Sequence, residues 1–323
     1  MTDSSKLIAP TMDDIQKARS TIEKHVLRTP LRHYPILSEI LDAEVWVKHE
    51  NFQLLGAFKV RGGINLVSQT SEEERKRGFV TASSGNHGQS IAYAARTFGA
   101  NCTVVLPEGA NTAKAGSIAA LGAKVIYHGD VFERSREHAE ELAESQGMRA
   151  VHAANEPALI AGVATYSVEI FEDLDNIDVL IAPVGAGSGA SGACIVTDAL
   201  SPSTRVIGAQ AKNAPAGYHA WKSGKFEIYP MSTAAEGLAT EGAYTLPIGI
   251  LRQRLKEFVL VEESEISSAI KHYVHATRTL VEHAGAASLA AAIRMKDQLK
   301  GKRVVLIASG GNITTDQLKA VLD

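Results

Sequence analysis

The stretch from Val179 to Gly192, VLIAPVGAGSGASG, decides the fold. Its first half is an unbroken run of apolar residues rich in branched side chains, the pattern of a strand covered on both faces. Glycines at 185, 187, 189 and 192 then open a turn, and small residues carry the chain onward as a helix through Ala199. A buried strand that turns through glycines into a helix is half of a parallel βαβ unit, which points to the α/β class.

Outward from there the same unit recurs. Strands are expected at 205–209 and 303–308 downstream, and at 44–48, 78–82, 102–106 and 124–127 upstream. Helices are expected between the upstream strands over about 88–98, 113–121 and 131–146. Nearer the N-terminus, Thr11 with Asp14 three residues on caps a helix predicted over about 13–26, and a short helical stretch is expected from Tyr34. The pattern implies two open twisted parallel-sheet lobes, with ligands bound where strand C-termini meet the cleft between them.

The chain has 323 residues, 45% of them hydrophobic, and a formal net charge of -3. Its charges are mixed along helical faces instead of gathered in blocks, so nucleic acid and anionic membranes are not expected partners. Cys102 and Cys194 sit in apolar runs and read as reduced interior thiols. With no signal-like leader and no apolar window near the roughly 20 residues of a membrane span, a cytoplasmic protein is expected.

Three loops follow strands and share small, hydroxyl and amide residues. The first, ASSGNHGQS from Ala82, leads into a helix, and its backbone N–H groups with Ser83, Ser84 and Asn86 suit a carboxylate. His87 alone reads as a structural hydrogen-bonding residue. The second, Val184 to Gly192, suits a phosphate. It also contains Gly187-x-Gly189-x-x-Gly192, formally a dinucleotide fingerprint, but the acidic residue that a nicotinamide dehydrogenase needs about 20 positions on is replaced by Gln210 at the end of the next strand. The third is Ser309-Gly310-Gly311-Asn312, which alone reads as a turn capped by Asn312 or Thr314.

A fourth feature is Lys59 in GAFKVRGG, a long cation among residues that read as interior. If this segment is helical, Arg61 faces away from Lys59 and serves as a structural partner for a carboxylate or loop carbonyls. A phosphate cup, a carboxylate cup, a hydroxyl on a third loop and an interior lysine together match the needs of pyridoxal 5'-phosphate chemistry.

In the order and spacing of RTPL at Arg28, ENFQLLGAFKVRGG at Glu50, TASSGNHGQSIAYAA at Thr81, VGAGSG at Val184, AEGLA at Ala235, VEHAGAASLAA at Val281 and SGGN at Ser309, the chain resembles the fold type II pyridoxal-phosphate enzymes of the serine/threonine dehydratase and serine racemase group. That resemblance implies a tryptophan synthase β-like architecture, with a large domain from 1–51 and 152–323, a small domain from 52–151, and commonly a homodimer. It implies that Lys59 is the Schiff-base lysine and proton-abstracting base, that Phe58 packs against the cofactor ring, and that Asn86 bonds its 3-hydroxyl group. It further places the phosphate on Gly185, Ala186, Gly187, Ser188 and Gly189, and Ser309 at the pyridine nitrogen. The substrate carboxylate is implied on Ser83, Ser84, Gly85, Asn86 and His87, with Ser84 also standing where racemases keep a second acid/base.

Three features depart from the family pattern. Leu55 and Ala57 stand where hydroxyl residues are usual, which predicts a greasier site and favours a bulky β-substituent, as in phenylserine dehydratase. Gln210 and Ala216 replace the Glu and Asp of metal-dependent relatives, so metal-independent activity is expected. His283 replaces a proline and has no account at this level. The expected activity is elimination of water from a β-hydroxy-α-amino acid, L-threo-3-phenylserine foremost, to a 2-oxo acid and ammonia. Threonine, serine and threo-3-hydroxyaspartate are the alternative substrates, and racemisation the alternative reaction.

Overall fold

A computed structural model describes residues 7–83 and 85–323. Ser84, and with it the second-face acid/base expectation, lies outside the described residues.

Among the described residues, ten strands form two sheets. The larger is built from β1 (Leu31–His33), β2 (Glu44–Lys48), β7 (Val179–Pro183), β8 (Arg205–Ala211), β9 (Glu257–Val261) and β10 (Arg303–Ile307), in the order β1-β2-β10-β7-β8-β9. The smaller holds β3 (Phe79–Ala82), β4 (Cys102–Leu106), β5 (Lys124–Tyr127) and β6 (Arg149–Ala150), in the order β5-β4-β3-β6. All pairings are parallel except β1 with β2. β7, whose sequence opened the reading, sits near the middle of the larger sheet with Val179, Leu180, Ile181 and Ala182 fully covered.

Several elements differ in extent from the sequence reading. The first helix is Met12–Ile22; the apolar period continues to Val26, but the backbone leaves the helix in turns, with His25 and Val26 N–H groups donating to the Ile22 carbonyl. β1, within RTPL and its sequel, has too few residues to show a period, yet it pairs antiparallel to β2 at the sheet edge. The helix expected from 88 is Asn86–Thr97, starting two residues earlier with Gly85 as its cap. Thr314 is the cap of the final helix, its side chain accepting from Gln317 N–H.

The sequence reading passed over the helix Pro157–Asp173, which joins the two sheets and is covered from Leu159 to Ile170. A helix buried on all sides lacks the polar face that makes a period visible. It packs against both Lys59–Ser68 and Ser188–Leu200 at distances that only glycine permits. A Cβ on Gly162 would stand 2.5 Å from the Arg61 carbonyl oxygen, and one on Gly192 would stand 2.8 Å from Ala164 Cα. This one helix therefore sets the separation between Lys59 and the glycine loop.

Beneath the site lies a buried charge cluster. Arg61 donates to Glu50 (Nε to Oε2, 2.8 Å), to Glu169 (Nη1 to Oε1, 2.7 Å) and to the Leu27 carbonyl at 3.2 Å. Lys48 Nζ donates to Glu169 at 2.5 Å and to the Thr29 carbonyl at 2.7 Å. Burial works against the charged guanidinium, but Glu50 and Glu169 outweigh it and hold Arg61 above its ordinary range. Arg61 thus takes the structural role read for it.

Candidate active site

The C-terminal ends of β3, β7 and β10 deliver the three loops to one place, and the segment from Leu55 to Lys59 crosses between them. Phe58 N–H donates to the Ser309 carbonyl at 3.1 Å, Ala57 forms an isolated bridge with Gly310, and Gly311 N–H donates to the Gly56 carbonyl at 2.8 Å. Gly56 has φ +68, and a Cβ there would stand 2.5 Å from Asn312 Oδ1. Only glycine can both turn and stay that close. Lys59 begins the next helix, and its carbonyl accepts from Ser90 Oγ at 2.6 Å.

Part of the Lys59 side chain faces the cleft, while its amine is enclosed and donates to Ser188 Oγ at 3.0 Å. No carboxylate pairs with it among the described residues, and burial holds the amine down to about 8 from an ordinary 10.5. A substantial neutral fraction near neutrality is what a nucleophilic or basic lysine requires.

The glycine loop is a cradle with no room for side chains. A Cβ on Gly185 would meet the Gly237 carbonyl oxygen at 2.1 Å; Gly187 has φ +92, and its added Cβ would meet Pro247 Cβ at 2.8 Å. A Cβ on Gly189 would press on the Phe58 ring at 3.2 Å, and the Gly189 carbonyl is held by Tyr166 Oη at 2.9 Å. The AEGLA motif acts here through Gly237, as the backing of the loop. Ser188 starts the helix Ser188–Leu200, so the backbone N–H groups of its first turn point at the cradle.

Opposite, Asn86 and His87 occupy the first turn of Asn86–Thr97, with Ser83 Oγ accepting from Gly85 N–H at 3.3 Å. The Asn86 amide is fixed at both ends: it donates to Glu282 Oε1 at 2.8 Å and accepts from Asn312 Nδ2 at 2.7 Å. Burial pushes the Glu282 carboxyl up to about 7. His152 and Tyr244 stand edge to face at 4.9 Å, and the nearby Lys59 charge adds to the burial that brings His152 down to about 4.

Pyridoxal phosphate fits these residues. An enclosed amine without a counter-charge suits an aldehyde, and a glycine cradle at a helix N-terminus suits a dianion. A family description reading "Pyridoxal-phosphate dependent enzyme" matches residues 22–310. The chain belongs to the pyridoxal-phosphate dependent enzymes.

L-Threonine ammonia-lyase of Thermotoga maritima is 37% identical to this enzyme over 314 residues, 97% of this chain and 78% of that protein. Serine racemase of Dictyostelium discoideum is 34% identical over 319 residues, 97% of this chain and 98% of its own. Its crystal structure superposes with a TM-score of 0.88, covering 94% of this chain and 99% of that one. L-threo-3-hydroxyaspartate ammonia-lyase of Saccharomyces cerevisiae is 32% identical over 310 residues, 95% of this chain and 94% of that protein. The enzyme is therefore of fold type II, uses pyridoxal 5'-phosphate, and belongs with the ammonia-lyases, dehydratases and serine racemases. The glycine fingerprint lies in the glycine cradle that the Lys59 amine reaches through Ser188.

One expectation changes at this level. Leu55 packs into the apolar cluster around Val60 and Ile64, and the Ala57 side chain is buried against Gly310, so their greasiness goes to packing around the site. Gln210 is fully buried; its Oε1 accepts from Tyr218 N–H at 2.9 Å in the first turn of the next helix, while its Nε2 has no partner among the described residues. His283 begins the helix His283–Arg294 and lines a small polar cavity with Lys114, Glu236, Glu282, Asn312 and Gln317.

Glu282 and Asn312 were inside motifs already quoted, yet nothing in one dimension showed that they clamp Asn86. His152 and Tyr244 carried no sequence signal. No helix among the described residues is long and apolar enough to cross a membrane.

Proposed function

We propose that this enzyme is a dehydratase that eliminates water from a β-hydroxy-α-amino acid, with L-threo-3-phenylserine as preferred substrate, releasing phenylpyruvate and ammonia. The observation that carries the elimination chemistry is the enclosed Lys59 amine, without a counter-charge, between the glycine cradle and the amide cup. When bound, pyridoxal phosphate supplies an electron sink for charge at the substrate α-carbon.

The chain's own residues do the rest. Lys59 anchors the cofactor and, once displaced, takes the α-proton as a neutral amine. Gly185, Ala186, Gly187, Ser188 and Gly189 bind the phosphate through backbone N–H groups, Phe58 packs on the ring, Asn86 holds its hydroxyl side, and Ser309 meets the ring nitrogen as a neutral group. The first-turn N–H groups at Asn86 and His87, with Ser83, Ser84 and Gly85, take the substrate carboxylate. The domain division is proposed at 52–151 for the small domain, which contains β3 to β6, with 1–51 and 152–323 as the large one.

The phenylserine preference rests on the His152–Tyr244 edge-to-face pair, within electrostatic reach of the Lys59 amine, a surface suited to an aromatic substituent. Arg136, whose charge reaches His152 and Tyr244, is already paired with both Glu133 and Glu140, which leaves little positive charge for a second substrate carboxylate. A phenyl group burying about 100 Å² more than a methyl would gain about 2.5 kcal/mol, roughly 60-fold. With Gln210 and Ala216 at the positions noted, turnover is proposed to be metal-independent.

The test is 2-oxo acid release from phenylserine, threonine, serine and threo-3-hydroxyaspartate, with and without chelator. Phenylserine should lead in kcat/KM by at least tenfold and chelator should change nothing. A wide lead for threonine would overturn the substrate preference, and inactivity on all four would overturn the dehydratase reading.

A further inference from the structure

His87 has a hydrogen-bonding state that its neighbours fix. Thr81 Oγ1 donates its single proton to the Val151 carbonyl at 2.8 Å, so at 3.1 Å from His87 Nε2 it can act only as acceptor. The ring proton is therefore on Nε2, and Nδ1 carries a lone pair. His87 is only 5% exposed, and Nδ1 has no hydrogen-bond partner among the described residues. Burial, with the Lys59 charge nearby, brings the imidazole down to about 3, so that lone pair persists at every working pH. A buried acceptor left unmatched is destabilising, and such orphans ask for an explanation.

The neighbourhood supplies one. His87 lies in the same first helical turn as Asn86, and its ring is within electrostatic reach of both Lys59 and His152. A β-hydroxy-α-amino acid brings three polar groups here. Its carboxylate only accepts hydrogen bonds and its amino group is committed to the cofactor, which leaves the β-hydroxyl as the free donor.

We infer that His87 Nδ1 accepts the hydrogen bond of the substrate's β-hydroxyl group, making His87 a specificity-determining residue for hydroxyl over other β-substituents. This rests on the dehydratase reading and adds a task for the side chain distinct from the carboxylate contact of its backbone. His87 transfers no proton; it orients the C–O bond that will break. A site that matches a hydroxyl with a buried acceptor penalises analogues that lack the donor.

The experiment compares wild type with His87→Phe, which keeps a ring without an acceptor, and His87→Asn, whose side-chain oxygen stands near the Nδ1 position. The substrates are the β-hydroxy amino acid that wild type turns over best and β-chloro-L-alanine, which eliminates halide and has no hydroxyl; both release a 2-oxo acid. If chloroalanine is not turned over, its inhibition constant replaces kcat/KM. Retained visible cofactor absorbance and an unchanged melting midpoint identify folded holoenzyme. His87→Phe should lower kcat/KM on the hydroxy substrate at least tenfold more than on chloroalanine, and His87→Asn should recover at least a third of that difference on a logarithmic scale. An equal fall on both substrates, no fall, or failure of His87→Asn to recover anything would overturn the inference. Inactivity of wild type on every β-substituted amino acid would remove the dehydratase reading, and the inference with it.

Discussion

Replacing Arg61 by methionine is the most direct way to ask whether the cluster beneath Lys59 holds the site in place. Arg61 and Lys48 carry two positive charges against Glu50 and Glu169, and the side chains of all four are at least nine-tenths buried. Arg61→Met removes five donor contacts to these carboxylates and Thr165, and leaves two buried carboxylates facing Lys48 alone. Breaking a buried ion pair by deleting one partner costs about 3–5 kcal/mol, because an uncompensated charge stays behind. With an unfolding entropy of roughly 2.1 cal/mol/K per residue, that cost lowers the melting midpoint of a 323-residue chain by roughly 4–7 °C. The double variant Arg61→Met/Glu50→Gln restores neutrality through the remaining Lys48–Glu169 pair, so it should be more stable than Arg61→Met by at least about 1 kcal/mol. Denaturant unfolding of the holoenzyme at pH 7 measures both. Since Arg61 fixes the helix that begins at Lys59, the single variant should also bind pyridoxal phosphate more weakly in a visible-absorbance titration. A cost below about 1 kcal/mol for Arg61→Met, or further destabilisation by Glu50→Gln in that background, would refute this account of the cluster.

Gly185→Ala places a methyl 2.1 Å from the Gly237 carbonyl oxygen, backbone against backbone, so the loop must shift; if its aligned N–H groups hold the phosphate as proposed, cofactor affinity should fall at least about tenfold by absorbance titration. Glu282 is buried with its carboxyl raised from 4.5 to about 7, so the folded state favours the protonated form. The stability this contributes is complete below pH 4.5 and is lost as pH rises through 7, amounting to at most about 3 kcal/mol. Glu282→Gln mimics the protonated form, and should therefore lose less unfolding free energy than wild type between pH 5 and pH 8; equal losses would show that Glu282 does not titrate in that window.

The candidate site residues were legible because each proposed role needs a rare local condition. A lysine among apolar neighbours, glycines after a buried strand, and a serine-amide run before a helix are all visible along the chain, and they lead to Lys59, to Gly185–Gly189 and to the Ser83–His87 loop. The central strands were legible for the same reason, since a strand covered on both faces must be apolar throughout. Less was visible where burial erases pattern: Pro157–Asp173 is enclosed on every side and shows no polar stripe, although it sets the distance from Lys59 to the glycine cradle. Leu55 and Ala57 were correctly seen as apolar, but side-chain direction depends on tertiary packing, and they face a cluster and Gly310.

What the linear order of residues determined on its own was the α/β class and, through the order of its motifs, the pyridoxal-phosphate family, because strand burial and glycine turns are each specified by a few adjacent residues. Tertiary structure alone decided which carboxylates hold Arg61, that Glu282 and Asn312 fix the Asn86 amide, and that Thr81 and Val151 set the tautomer of His87. Apart from His87–Thr81, 6 residues apart, those bonds join positions from 11 to 226 residues apart. A hydrogen bond is defined by distances of about 3 Å, which no spacing along a chain encodes until the sheets and the helix between them have brought its two ends together.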